Sequence, residues 1–260
     1  MNDDEKFLFD LKGYLVIENV LSPDEVARCN EAIDHHASDF FETDRKLEGD
    51  SNRLGGSTGK QKWMEGMLEW KRPWCEPFRD LLVHPQIKPY LCEVLGTPRL
   101  DHGPLLIAMD KGNGGHYLHG GAIDRQDYSQ TYEFKYDKMF CGLTVAEFQL
   151  ADEGPGDGGL AIVPGSHKSH FPTPTSLTHY EKYQNNVKEI HTKAGDVILF
   201  TEAVTHGTLV WQGKQQRRSL IYKYNTGFQA HSPGYHASEY PDFALNMTDE
   251  QRALFRHTGL

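Results

Sequence analysis

The 260-residue chain contains only four cysteines, Cys29, Cys75, Cys92 and Cys141, spaced so widely that no CxxC pair forms. That excludes a disulfide framework and a cysteine zinc site, and leaves buried or bystander thiols. No apolar run approaches the roughly 20 residues of a membrane span, so no membrane partner is expected. A basic stripe is also missing. The 27 Lys and Arg stand against 37 Asp and Glu, a net charge of −10, whereas a phosphate backbone is held by clustered cations. Nucleic acid is therefore not an expected partner. The acidic opening MNDDEKFLF lacks the basic-then-apolar order of a secretory leader, which makes a cytoplasmic location the expectation. GxxxxGK[ST] does not occur, which argues against a P-loop NTPase.

What is present is ordinary globular composition, with 38% hydrophobic residues, 25 glycines and 13 prolines scattered as turn signals. The first 96 residues read as mostly helical. Asp3–Leu11 is a short helix and Tyr14–Val20 a strand. Ser22-Pro23-Asp24-Glu25 is a capping box with proline at the first helical position, opening a helix to about His35. Residues 38–60 read as a polar surface loop. Helical patterns follow over Trp63–Trp70, Glu76–Leu82 and Pro85–Leu95. From about residue 98 the chain changes to short β-rich runs: Leu105–Met109, Gly142–Leu150, Leu160–Val163, Asp196–Thr201, Thr208–Trp211 and Arg217–Asn225. Thr248-Asp249-Glu250-Gln251 caps a final helix. Helices first and strands later, without βαβ alternation, predict a mainly β barrel or jelly roll buttressed by N-terminal helices. One domain is expected over 1–260, with helical support over 1–96, a β core over 97–228 and a C-terminal extension over 229–260.

Gly154-Pro155-Gly156-Asp157-Gly158-Gly159 matches GxGxxG, but the strand-like Leu160–Val163 follows where a dinucleotide fingerprint needs a helix. The motif reads as a turn. Histidine is the unusual residue, with 14 copies. His119 lies in His116-Tyr117-Leu118-His119-Gly120-Gly121, and His206 follows the run Val197–Phe200. Neutral imidazole offers a lone pair to a metal, and two histidines from separate strands can meet across a barrel mouth. The competing reading is two ordinary loop histidines. Arg217 and Arg218 open a strand, so they point to opposite faces. Either one enters the barrel, where an unpaired guanidinium is costly and a bound carboxylate would satisfy it, or both sit at a solvated strand end.

Taken together, these segments resemble the phytanoyl-CoA dioxygenase superfamily. The run Gly156–Lys168, with its Pro164-Gly165-Ser166-His167-Lys168 turn, carries the likeness. So do Ala194–Phe200, His206-Gly207-Thr208, Arg217 and the opening Phe9–Ile17 with Gly13-Tyr14. The resemblance spans about residues 7–226. It implies a double-stranded β-helix (a cupin-like jelly roll) that uses Fe(II), 2-oxoglutarate and O2 to oxidise an unactivated C–H bond of a small-molecule substrate. Position by position, it implies His119 and His206 as iron ligands and Arg217 as the grip on the far carboxylate of 2-oxoglutarate. Thr208 would assist that arginine, and His167 would be structural. His116 is not expected to ligate.

The departure lies at the third ligand. The family pattern is His-x-Asp, and here the third position is Gly121. The resemblance then implies a halogenase-like site in which chloride binds iron beside Gly121, and halogenation is the favoured outcome. The alternative is a hydroxylase whose site is completed by water or by Asp124. A further alternative is a β-barrel binding protein without catalysis. Substrate-shaping residues are expected in the loops 38–60, 122–140 and 170–190, among them Arg125, Tyr128, Tyr132, Lys135, Tyr136, His170 and His179.

Overall fold

A computed structural model describes residues 1–43, 46–121, 130–229 and 240–256. Helix α1 (Asp3–Lys12) starts from a capping box on Asn2 and ends at Gly13, whose φ of 83° gives the left-handed cap. Strand β1 (Tyr14–Ile17) leads to α2 (Pro23–His35), which begins at the predicted Ser22–Glu25 box. Strands β2 (Phe41–Glu42) and β3 (Lys62–Met64) precede α3 (Glu76–Leu81) and α4 (Lys88–Leu95). The helix expected over Trp63–Trp70 is not formed. Gly66 adopts a φ of 80° there, a left-handed conformation that breaks a helix, and Lys62–Met64 pairs as a strand instead.

The remaining strands are β4 (Pro98–Met109), β5 (His116–His119), β6 (Tyr132–Lys135), β7 (Lys138–Cys141), β8 (Thr144–Gln149) and β9 (Gly159–Ile162). After α5 (Thr175–Thr178) come β10 (Lys188–Glu189), β11 (Val197–Thr201), β12 (His206–Leu209) and β13 (Arg217–Thr226). Helix α6 (Asp249–Arg252) starts at the Thr248 capping box. A seven-stranded sheet runs β1-β11-β8-β13-β4-β3-β2, a four-stranded sheet runs β10-β9-β12-β5, and β6-β7 form a separate ladder. All the pairings are antiparallel. The N-terminal part therefore adds three strands to the large sheet as well as helices.

Both faces of the large sheet are covered. Leu220, Tyr222 and Tyr224 of β13, with Leu199 and Phe148, join Phe9, Ile33, Phe78 and Leu91 of the helices in one apolar cluster. On the other face Tyr14, Val145, Ile198 and Phe200 pack with Leu160 and Ile162 of the small sheet. This double burial explains why Val197–Phe200 is an unbroken apolar run rather than an alternating one. The Gly154–Gly159 segment is the turn expected, and it links β8 of one sheet to β9 of the other.

Candidate active site

Strands β5 and β12 pair so that His119 and His206 are direct partners across the ladder, with ring centroids 4.4 Å apart. His119 Nδ1 lies 3.1 Å from Tyr117 O and His206 Nδ1 lies 2.8 Å from Val204 O. Those carbonyls take the Nδ1 protons, so each ring keeps its lone pair on Nε2, the arrangement seen for metal-bound imidazole. Burial, with His206 alongside, holds His119 well below the usual imidazole value, and burial also lowers His206. Both rings are thus kept neutral, as ligation requires.

The turn between β11 and β12 adds a residue that sequence reasoning missed. Glu202 is buried, and its ligand oxygen forms with His119 and His206 a group whose candidate ligand atoms all lie within 4.8 Å of one another. Glu202 Oε2 is 3.6 Å from His206 Nε2, and Lys223 Nζ is 2.7 Å from Oε1. Burial opposes ionisation of this carboxyl, but the Lys223 ammonium beside it outweighs that and holds the carboxyl below the usual carboxylate range. The donor set of two neutral imidazoles and one carboxylate fits a divalent iron ion.

These side chains line a cavity of about 320 Å³, which also receives Thr208, Arg217 and His116. His116 bonds through Nδ1 to Tyr117 O at 2.7 Å and lies outside the three-residue cluster. Thr208 sits two residues beyond His206 on the same face of β12. A larger groove of about 760 Å³ beside α4 and β7 holds no histidine.

Alternation along β13 sends Arg217, Ser219, Ile221 and Lys223 inward. Arg218 points outward, where it meets Asn30 Oδ1 at 2.9 Å and Asp34 Oδ1 at 2.6 Å on α2. Arg217 is 1% exposed. Its Nη2 donates to Glu147 Oε1 at 2.8 Å, and its Nε lies 2.8 Å from Glu153 Oε1 outside hydrogen-bond alignment. Gln149 Nε2 donates to Glu147 Oε1, and Ser219 Oγ lies within hydrogen-bond reach of Gln149 Oε1 and Glu153 Oε1. One guanidinium thus serves two buried carboxylates. Burial, in excess of what Arg217 offsets, pushes Glu153 up to about 7.

Gly121 is not among the residues lining that cavity; it lines a neighbouring depression with His119, Phe171, Pro172 and Thr173. A Cβ built at Gly121 would point at Thr205 Oγ1, 3.0 Å away, and Thr173 Oγ1, 3.6 Å away. Asp124, Arg125 and Tyr128 lie outside the described residues. None of the other expected loop residues lines the cavity, whose mouth is built instead from Gln61, Trp63, Glu65 and His102. Tyr132 bonds Asp10, Tyr136 is exposed, and His170 and His179 lie elsewhere. His167 is buried against the end of α1, with Nε2 3.0 Å from Asp10 O.

The sequence profile of phytanoyl-CoA dioxygenase (PhyH) matches residues 9–219. The chain belongs to this family. It is an iron(II)- and 2-oxoglutarate-dependent oxygenase, as the sequence resemblance implied. A relative, ectoine dioxygenase of Nocardia farcinica (strain IFM 10152), is 24% identical over 226 residues, covering 77% of this chain and 70% of that protein. The fold is shared with HygX from Streptomyces hygroscopicus, solved with nickel, 2-oxoglutarate and hygromycin B. That match has a TM-score of 0.69 and 23% identity over 88% of this chain and 89% of HygX. It is shared also with the 2-oxoglutarate-dependent carbocyclase SnoK from nogalamycin biosynthesis, at a TM-score of 0.61 and 16% identity over 90% and 87% of the two chains. These likenesses support the double-stranded β-helix. Among the described residues no helix is long and apolar enough to cross a membrane.

Proposed function

We propose that the protein hydroxylates a C–H bond of a polar small molecule, with His119 and His206 holding iron and Arg217, assisted by Thr208, holding the C5 carboxylate of 2-oxoglutarate. Bound iron would supply O2 activation, one oxygen atom entering the substrate C–H bond and the other entering 2-oxoglutarate, which leaves as succinate and CO2. The chain's own residues supply position and polarity. The histidines present neutral nitrogens, and Arg217, which also holds Glu147 and lies beside Glu153, lines the same cavity. Trp63, Leu105, Ile107 and Phe200 give the substrate an apolar seat, with His102 and Gln61 at its polar edge. HygX was solved with hygromycin B, and ectoine dioxygenase is named for ectoine; both are polar small molecules.

The observation that favours hydroxylation over halogenation is the ionised, buried carboxylate of Glu202 beside the two histidines. A carboxylate that ligates the iron would occupy the coordination position a halide needs. Gly121 gives halogenation its case through the missing Asp, but its open side faces Thr205 and Thr173. The test is turnover of a substrate found by screening polar metabolites for coupled succinate release. Equal rates and a hydroxylated product in chloride-free and chloride buffers are expected. A halide requirement with a halogenated product would overturn the reading.

A further inference from the structure

The geometry around Glu202 points to a relocated metal ligand. We infer that Glu202 is the third protein ligand of the iron, taking the coordination role that Gly121 leaves empty, so that the ligand order is His119, Glu202, His206 in place of His-x-Asp and a distal histidine. This rests on the iron reading above and deepens it.

Three observations carry the inference. The first is a contact that no hydrogen bond explains. Val204 O takes the Nδ1 proton of His206, so Nε2 turns a lone pair toward Glu202 Oε2 at 3.6 Å. Both atoms are of metal-ligating type, and a divalent cation between them would engage both. His119 brings a third donor into the same 4.8 Å cluster. The second is the hold on the carboxylate. Lys223 engages Oε1 at 2.7 Å, which leaves Oε2 as the oxygen directed at the histidines and favours single-oxygen ligation. The third is the route closed at the usual position. At φ 108° Gly121 sits where an L side chain is strained, and a Cβ there would meet the hydroxyls of Thr205 and Thr173. Next to it, a Cβ at Gly120 would lie 2.5 Å from Glu202 O and 2.8 Å from Val204 O. The end of β5 is therefore packed against the turn that delivers Glu202. The same close approach that brings the carboxylate in leaves no room for a side chain at Gly120.

Anaerobic calorimetry with Co(II), in the presence of 2-oxoglutarate, tests this without turnover, and the Co(II) visible absorption band provides a second readout. Wild type should bind one Co(II). His119→Ala and His206→Ala should abolish binding, and His116→Ala should stay within threefold of wild type. Glu202→Gln, which keeps size and removes charge, should weaken Co(II) by a hundredfold or more and shift the absorption band. Glu202→Asp should fall between. Circular dichroism establishes that each variant is folded; if Glu202→Gln is not, Glu202→Asp carries the test, with at least a tenfold loss expected. The double variant Glu202→Gln/Gly121→Asp should not recover affinity. Wild-type-like Co(II) affinity in folded Glu202→Gln, or recovery in the double variant, would overturn the assignment while leaving the iron reading in place. Failure of the wild type to bind Co(II) would instead overturn the iron reading itself.

Discussion

Replacing Glu153 by glutamine should stabilise the protein in alkaline buffer. Glu153 shares Arg217 with Glu147, so the buried cluster carries one carboxylate more than its cation can offset. The result is a carboxyl that titrates at about 7 in the fold, against 4.5 in the unfolded chain. Below pH 4.5 both states hold the proton and nothing is lost. Between 4.5 and 7 the folded state keeps a proton that the unfolded state has released, so stability falls as pH rises. Above 7 the loss is complete, at roughly 3 kcal/mol. Glutamine imitates the protonated acid and still offers Oε1 to Ser219. Urea denaturation of wild type and Glu153→Gln at pH 5 and pH 8 should therefore show the variant gaining about 2–3 kcal/mol on wild type between the two. Parallel stability profiles would refute the argument, because they would mean that Arg217 neutralises both glutamates.

Two further outcomes follow from the same strands. Arg217→Met should raise the 2-oxoglutarate requirement a hundredfold or more and cost about 3–5 kcal/mol by stranding buried carboxylates. Arg218→Met, whose partner Asp34 is mostly exposed, should cost under about 1 kcal/mol and leave the keto-acid titration unchanged; an exchange of the two effects would invert the strand phase. Gly120→Ala should lose Co(II) binding and lower the melting temperature, because its methyl meets backbone oxygens at 2.5 and 2.8 Å; a variant that melts and binds like wild type would show that the β11–β12 turn yields.

Much of this architecture was legible in local chemistry. The capping boxes at Ser22 and Thr248 mark helix starts, and the period-two alternation from Arg217 to Tyr224 puts the two arginines on opposite faces. The long apolar run before Glu202 marks a strand buried on both faces. Trp63–Trp70 misleads because Met64, Met67 and Leu68 are all buried at helical spacing, while Gly66 turns the chain between them. Strand β5 is four residues long and flanked by glycines, so no periodicity reveals it. Glu202 was invisible for a different reason. Its place beside His119 depends on the β5–β12 ladder, and its charge on Lys223, 21 positions downstream. Neither relation has a local sequence signal. The same holds for Glu147 and Glu153, which reach Arg217 from β8 and from the loop after it.

The position of β1 has a consequence for handling the chain. It is the outermost strand of the large sheet and covers β11 through four successive pairs, Tyr14↔Phe200 to Ile17↔Val197. Proteolytic trimming through Ile17 would bare the edge of Val197–Phe200, a row of unsatisfied amides and carbonyls on an uncharged, β-branched and aromatic segment. Such an edge is a template for pairing between molecules. The first seventeen residues thus act as a guard against self-association, and the strand they shield is the one that runs directly into Glu202.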